Sequence, residues 1–160
     1  MDVLEVSPQV VAPDAFHEVL TLCLGGETYG IDILCVQEIR TFEQPTRLAG
    51  SPAYVLGVTN LRGVIVPIVD LRRRFGLEPA FNGNTVTVVL NLKSRTVGVV
   101  VDGVSDVLAL ETTQIRKAPP VGGAIDVSHV TGMVTLDQGS NARMLILIDI
   151  ASLLSDLGMA

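Results

Sequence analysis

The feature that most constrains this chain is a succession of short, valine-rich runs separated by turn residues at intervals of roughly 8 to 12 positions. The clearest pair is 85–92 and 96–101, joined by the polar connection Lys93-Ser94-Arg95. This pair predicts a β-hairpin. Apolar residues make up 48% of the chain and aromatic residues only 4%, with no Trp. Because Val and Ile pack well in strands and lose rotamer freedom in helices, the core is predicted to be aliphatic and β-rich.

Further strands are predicted on both sides of this hairpin. The runs 18–24 and 29–32 flank Gly25-Gly26 and predict a second hairpin, whose first strand has apolar residues on both faces. The run 33–40 suits one face of a helix or a strand, and its branched residues and short length favour a strand. The other predicted strands are 58–61 and 64–69 around an Asn-x-x-Gly turn, 104–110 as a continuation of the central meander, and 130–136 with 144–148.

Only short helices are predicted. Asp70 is placed to cap a helix that runs through Phe75 and ends at Gly76. Asp149 precedes an apolar stripe, and this last helix is predicted to end at Gly158; the stripe consists of Ile150, Leu153, Leu154 and Leu157. Many short strands with few helices indicate a sandwich or barrel. Two small closed lobes are favoured, because one large sheet would leave long unpaired edges.

Charge and segment composition exclude several classes of protein. The net charge of −6 opposes nucleic-acid binding, which needs a basic surface, and the basic run 72–74 is predicted to be a solvated face. No run approaches the length of a membrane helix, and the acidic start is a poor secretory signal. Cys23 and Cys35 lie among apolar neighbours, as reduced cysteines do. A cytoplasmic protein is therefore expected, with residues 1–15 as a flexible tail.

The sequence offers little catalytic chemistry. His17 and His129 belong to no spaced motif, and no cluster of metal-ligand spacing is present. The prediction is a protein that is not an enzyme and that uses no cofactor or metal. A small barrel hydrolase is the alternative if Asp70, Asp102 and Asp149 gather in one pocket. A second alternative is a general SH3-like peptide-binding module, although such grooves are aromatic-lined and aromatic residues are scarce here.

One block carries a resemblance to a known family. The segment 57–72, which begins Gly57-Val58-Thr59-Asn60-Leu61-Arg62-Gly63, resembles the CheW family of chemotaxis coupling proteins. The segments 29–32, 36–40, 100–104 and 144–147 fall where that family has its other recurrent blocks. The resemblance covers about residues 16–157. It implies one CheW-like domain of two SH3-like, five-stranded β-barrels with short helices and a C-terminal helix.

The same resemblance implies a function. It predicts a chemotaxis adaptor, or scaffold, that couples the cytoplasmic tip of methyl-accepting chemoreceptors to the regulatory domain of the histidine kinase CheA. Such adaptors are cytoplasmic and are recruited to membrane-associated receptor arrays, where further copies could join the kinase in rings. The kinase contact is expected at the barrel end of the first lobe.

The resemblance also implies a receptor-binding surface in a groove between the barrels. Carried over by motif, this predicted receptor surface consists of Val36, Glu38, Gly57, Leu61, Arg62, Val104 and Val107. Other interpretations remain open for several of these residues. Arg62 could be a turn residue in an exposed ion pair with Glu38, Gly57 could be a plain turn glycine, and Val36 and Leu61 also suit ordinary core positions.

Overall fold

The computed structural model of the chain describes residues 16–93, 95–117, 127–138 and 141–156. The predicted tail at 1–15, the loop around 118–126 and the predicted helix end at Leu157 and Gly158 lie outside the described residues.

These ranges hold ten strands and two short α-helices. The strands are β1 (Phe16–Leu24), β2 (Glu27–Asp32), β3 (Val36–Thr41), β4 (Val55–Leu61), β5 (Val64–Asp70), β6 (Val86–Leu92), β7 (Arg95–Val101), β8 (Gly103–Glu111), β9 (Val130–Gln138) and β10 (Asn141–Ile148). The helices are α1 (Leu71–Arg74) and α2 (Ile150–Asp156), and single 3₁₀ turns occupy Ile33–Cys35, Thr112–Gln114 and Val127–His129. Both helices begin after the predicted aspartates, which accept N-cap hydrogen bonds from Arg72 and Ser152.

The strands form two five-stranded sheets with one shared connection pattern. The first lobe has the order β3-β6-β7-β5-β4, and the second has β8-β1-β2-β10-β9. In each lobe, the third and fourth strands of that order pair in parallel and every other pairing is antiparallel. The N-terminal hairpin β1–β2 thus completes a lobe whose other three strands follow the first lobe in the chain. The predicted all-β, two-lobed SH3-like architecture is confirmed.

The largest hydrophobic core lies between the lobes. It joins residues of β1 and β2 with residues of β6, β7, α1 and α2. Alternate residues of β1 divide between two cores: Leu20 and Leu22 face this shared core, whereas Val19 packs against Leu145 in the smaller core of the second lobe. A separate cluster around Val66 fills the first lobe. The apolar residues on both faces of β1, noted in the sequence, therefore reflect a strand with a core on each side.

Two strand predictions need correction. The run 33–40 is a single 3₁₀ turn, Ile33–Cys35, followed by a strand that starts at Val36. The run 104–110 does not continue the central meander, because β8 pairs with β1 of the other lobe. Both edges of β7 are already occupied, by β6 and by β5. The chain must therefore cross to the second lobe after Asp102, whose backbone N–H donates to the Cys23 carbonyl.

The prediction of a solvated basic run is wrong for Arg72, whose side chain is 1% exposed. Its guanidinium donates to both carboxylate oxygens of Asp70, to one oxygen of Asp102 at 3.1 Å and to the Ala80 carbonyl at 2.6 Å. The other oxygen of Asp102 accepts from the Gly25 N–H in the β1–β2 turn. Burial opposes the charge of Arg72, but hydrogen bonds to the two carboxylates outweigh it and raise its pKa. This network joins α1 to the second lobe.

We expect Arg72→Met to lower the free energy of unfolding by about 3–5 kcal/mol, because it leaves the Asp70 carboxylate buried without its partner. Arg73→Met is the matched control, since the neighbouring arginine is 41% exposed and lies 3.8 Å from Asp70. That control should cost less than about 1 kcal/mol. Urea denaturation followed by circular dichroism measures both, and equal losses would contradict the importance of the buried network.

Candidate functional site

Two residues of the predicted receptor surface meet at the edge of the first lobe. Arg62 Nη2 donates to Glu38 Oε2 at 2.7 Å, and Arg40 Nη1 donates to Glu38 Oε1 at 3.1 Å. Glu38 lies on β3 and Arg62 follows β4, and these are the two edge strands of the first sheet. The ion pair therefore connects the two edges of the lobe. The ion-pair interpretation of Arg62 is correct, and it leaves a binding role open because 68% of the Arg62 side chain is exposed.

Local sequence fixes the position of Arg62. The β4–β5 hairpin pairs Leu61 with Val64, so Arg62 and Gly63 form a two-residue turn. Their φ angles are +52° and +89°, as a type I′ turn requires. The Asn60 side chain supports the turn by accepting from the Gly63 N–H at 2.8 Å. The predicted hairpin is confirmed, and both of its turn residues have positive φ.

The electrostatics of Glu38 follow from its two arginines. Hydrogen bonds, first from Arg62 and then from Arg40, lower the pKa of the Glu38 carboxyl below its usual value. The carboxylate therefore stays ionised at neutral pH and holds both guanidinium groups at the edge of the sheet. Sequence reasoning missed Arg40. The signal was its position two residues after Glu38 in the same strand, which places both side chains on one face.

Gly57 is required by the chain's own backbone. Its φ is +145°, and a Cβ at this position would collide with the Thr46 carbonyl oxygen. Thr46 and Val58 exchange two backbone hydrogen bonds of 2.9 and 2.8 Å, which hold the segment before β4 across the strand. The need for glycine at position 57 is thus explained by the contact with Thr46 of the same chain.

The remaining predicted residues divide between core and surface. Leu61 is 7% exposed and belongs to the first-lobe core, and Val36 packs partly buried against the shared core. Val104 also packs against the shared core from β8 of the second lobe, whereas Val107 is 47% exposed. The structure therefore brings together Glu38 and Arg62 within the first lobe and places Val104 and Val107 on the edge strand of the second.

The three aspartates of the hydrolase alternative do not share a pocket. Asp70 and Asp102 bind Arg72, whereas Asp149 caps α2 and lines a cleft of about 550 Å³. Cys35 lines the same cleft, but burial, together with Asp32 and Asp149, raises the pKa of its thiol. A raised pKa disfavours the thiolate, which is the nucleophilic form. Within the described ranges, no three His, Cys, Asp or Glu side chains are arranged to hold a metal ion.

Comparison with known proteins identifies the family. The model of the CheW-like domain matches residues 18–158. The chain belongs to the CheW-like domain family. It is 53% identical over 145 residues to the chemotaxis protein CheW of Klebsiella aerogenes, covering 90% of this chain and 85% of the relative. It is 34% identical over 153 residues to the chemotaxis protein CheW of Treponema pallidum, covering 92% of this chain and 87% of the relative.

A solved structure agrees with this CheW-like assignment. The crystal structure of the scaffolding protein CheW of Thermoanaerobacter tengcongensis is similar with a TM-score of 0.76 and 29% identity, covering 86% of this chain and 87% of that one. The resemblance read from the sequence is therefore confirmed. In the described part of this CheW-like chain, no helix has the length and apolar character needed to cross a membrane.

We expect Gly57→Ala to lower the free energy of unfolding by about 2–4 kcal/mol, since it adds backbone strain and a collision with Thr46. Gly50→Ala is the control: its φ is +81°, but open space surrounds the site of a Cβ, so only the strain applies. Thermal denaturation of both variants separates the two effects. A loss at Gly57 no larger than at Gly50 would show that the Thr46 contact is unimportant.

The stabilisation from Glu38 should depend on pH. Its pKa is lower in the folded state than in the unfolded state, so the stabilisation is present above the unfolded value of about 4.3 and is lost as pH falls through the folded value. The melting temperature of the wild type should exceed that of Glu38→Gln at pH 7, and the difference should fade below about pH 4. Glu78→Gln, at an exposed glutamate of the same lobe, is the control. A difference that persists undiminished at pH 3 would contradict this origin.

Proposed function

We propose that this CheW-like chain is a chemotaxis adaptor that couples chemoreceptors to the histidine kinase CheA. Membership of the family and its likeness to a solved scaffolding protein support this function. The observation that carries it is the geometry of Arg62. A rigid turn holds this arginine outward, Glu38 orients it from one side, and most of its side chain remains exposed.

Arg62 has the properties of a binding residue. Its planar guanidinium offers five donors, and a partner carboxylate or carbonyl can use those not directed at Glu38. Arginine is also enriched among the residues that dominate interface energies. We propose that the receptor-binding surface comprises Glu38, Arg62 and Arg40, with Val36, Gly57 and Leu61 shaping the backbone and core beneath them. Val104 and Val107 extend this surface onto the second lobe.

The adaptor works through geometry and needs no catalysis. A core shared by both lobes makes them one body, so partners bound to different faces keep a fixed relative orientation. Receptor states that bind or orient this body differently would then change the state of the kinase. Each contact can be weak, of micromolar affinity or about −8 kcal/mol, because an array presents many copies at once.

The proposal includes the setting in which the adaptor works. It acts in the cytoplasm, is recruited to membrane-associated receptor arrays, and contacts the CheA regulatory domain through apolar residues at the barrel end of the first lobe. Further copies of the chain could alternate with the kinase in rings.

The test is Arg62→Asn, because Asn tolerates positive φ and so preserves the turn while removing the guanidinium. We expect receptor affinity to fall by roughly 1–4 kcal/mol, about fivefold or more, with little change in melting temperature. Co-sedimentation with a receptor cytoplasmic fragment, with and without CheA, measures the effect. Lys93→Ala, at an exposed lysine of the same lobe, is the control. Receptor binding that is unchanged in Arg62→Asn would refute the role of this surface.

A further inference from the structure

The carboxylate of Glu38 binds two arginines through separate oxygens. Arg62 Nη2 donates to Oε2 at 2.7 Å, and Arg40 Nη1 donates to Oε1 at 3.1 Å. The two arginines come from different parts of the lobe. Arg40 lies two residues after Glu38 on the same face of β3, whereas Arg62 lies in the turn between β4 and β5. Each arginine therefore has its own oxygen, and neither displaces the other.

These three side chains carry one positive charge in excess. Arg62, and after it Arg40, lowers the pKa of the Glu38 carboxyl, and arginines stay protonated in proteins, so all three groups are charged at neutral pH. Glu43 lines the same small opening as Arg40, but no ion pair joins these two described side chains. The whole chain has a net charge of −6. The cluster is therefore a local basic site on an acidic protein.

The three side chains differ in how far they reach solvent. Arg62 is 68% exposed, Arg40 is 38% exposed and Glu38 is 22% exposed. β3 pairs with β6, with Glu38 opposite Val89 and Arg40 opposite Thr87, so the sheet fixes the relative position of Glu38 and Arg40. A partner side chain therefore reaches Arg62 most readily, while Arg40 remains beside Glu38.

A partner carboxylate bound to Arg62 would lie close to the carboxylate of Glu38. Two carboxylates that share one guanidinium leave one negative charge in excess, and a partner that covers the site also removes the water that screens their repulsion. Arg40 offsets this repulsion, because two carboxylates and two guanidinium groups are electrically balanced. A backbone carbonyl bound to Arg62 carries no net charge and would need no such compensation.

We propose that the cluster of Glu38, Arg62 and Arg40 binds one side-chain carboxylate of the receptor tip, and that Arg40 supplies the balancing charge without touching the receptor. The carboxylate accepts from donors of Arg62 that do not face Glu38, while Glu38 stays bound to both arginines. Arg40 is thus a positioning residue that acts through Glu38. This inference rests on the proposed function and names the chemical group that the receptor contributes.

The experiment is calorimetric titration of the full chain with a chemoreceptor cytoplasmic-tip fragment. Arg40→Met should weaken binding roughly three- to tenfold, because Glu38 then repels the bound carboxylate. Arg40→Lys keeps the charge and should bind within about twofold of the wild type. The loss in Arg40→Met should shrink at high salt, since salt screens charge repulsion. Lys93→Ala, at an exposed lysine of the same lobe, is the control and should bind as the wild type does. Circular dichroism confirms that each variant is folded.

A second comparison separates charge balance from direct contact. Glu38→Gln leaves no carboxylate to repel the partner at Arg62, so adding Arg40→Met to it should change the affinity by less than about twofold. An Arg40 that touched the receptor would instead cause the same loss with or without Glu38→Gln. Neutralising the acidic residues of the receptor fragment one at a time should identify one whose loss weakens wild-type binding and abolishes the effect of Arg40→Met.

The remaining outcomes distinguish this inference from the proposed function. Unchanged binding in Arg40→Met, or equal losses in Arg40→Met and Arg40→Lys, would overturn the charge-balancing role. If Arg62→Asn still weakened binding in that case, the proposed function would stand. A loss from Arg40→Met that persists alongside Glu38→Gln would also overturn the inference. A wild type that binds no receptor fragment would defeat the proposed function itself.

Discussion

The structure depends on the hairpin β1–β2, which has a hydrophobic core on each of its faces. Leu20, Leu22 and Ile31 enter the core shared between the lobes, while Val19 enters the core inside the second lobe. Burial of aliphatic side chains is favourable but has no direction, so a hairpin buried on both sides must join whichever strands complete both cores. Here β6 and β7 complete the shared core, and β8, β9 and β10 complete the core of the second lobe. The result is two lobes that cannot separate without exposing the largest core.

The hydrogen bonds of the Asp70–Arg72–Asp102 network fix a geometry between the lobes that hydrophobic packing alone does not specify. A buried arginine must satisfy its donors, and Arg72 does so with carboxylates from the first lobe and from the crossover to the second. Asp102 then reaches the Gly25 N–H in the hairpin turn. Buried ion pairs often contribute little net stability, but they tolerate few alternative geometries. Together with the shared core, this network fixes the orientation of one lobe relative to the other.

Several features around the candidate site are repeated in the second lobe. Both lobes have a glycine at an equivalent position of one edge strand, Gly57 and Gly132, and an acidic residue at the register shift of the opposite edge strand, Glu38 and Asp106. The arginine lies in the turn after β4 in the first lobe and on strand β10 in the second. The first lobe has an ion pair between Arg62 and Glu38, whereas Asp106 and Arg143 of the second lobe hydrogen-bond to Thr21 and Thr28. The two lobes therefore share a backbone frame and differ in how their charged side chains are paired.

The sequence by itself determined most of the strands, both helix starts, the Asn60–Gly63 turn and the family, because these depend on local pattern and short motifs. It also brought Glu38 and Arg62 together as a pairing to be tested. Only the tertiary structure decided that Arg72 is buried, that β8 joins β1 instead of β7, and that Gly57 is crossed by Thr46. The lobe repeat, with Asp106 in the place of Glu38, was equally hidden. The physical reason is that burial, sheet order and cross-lobe registers are set by contacts between distant segments, which no local periodicity encodes.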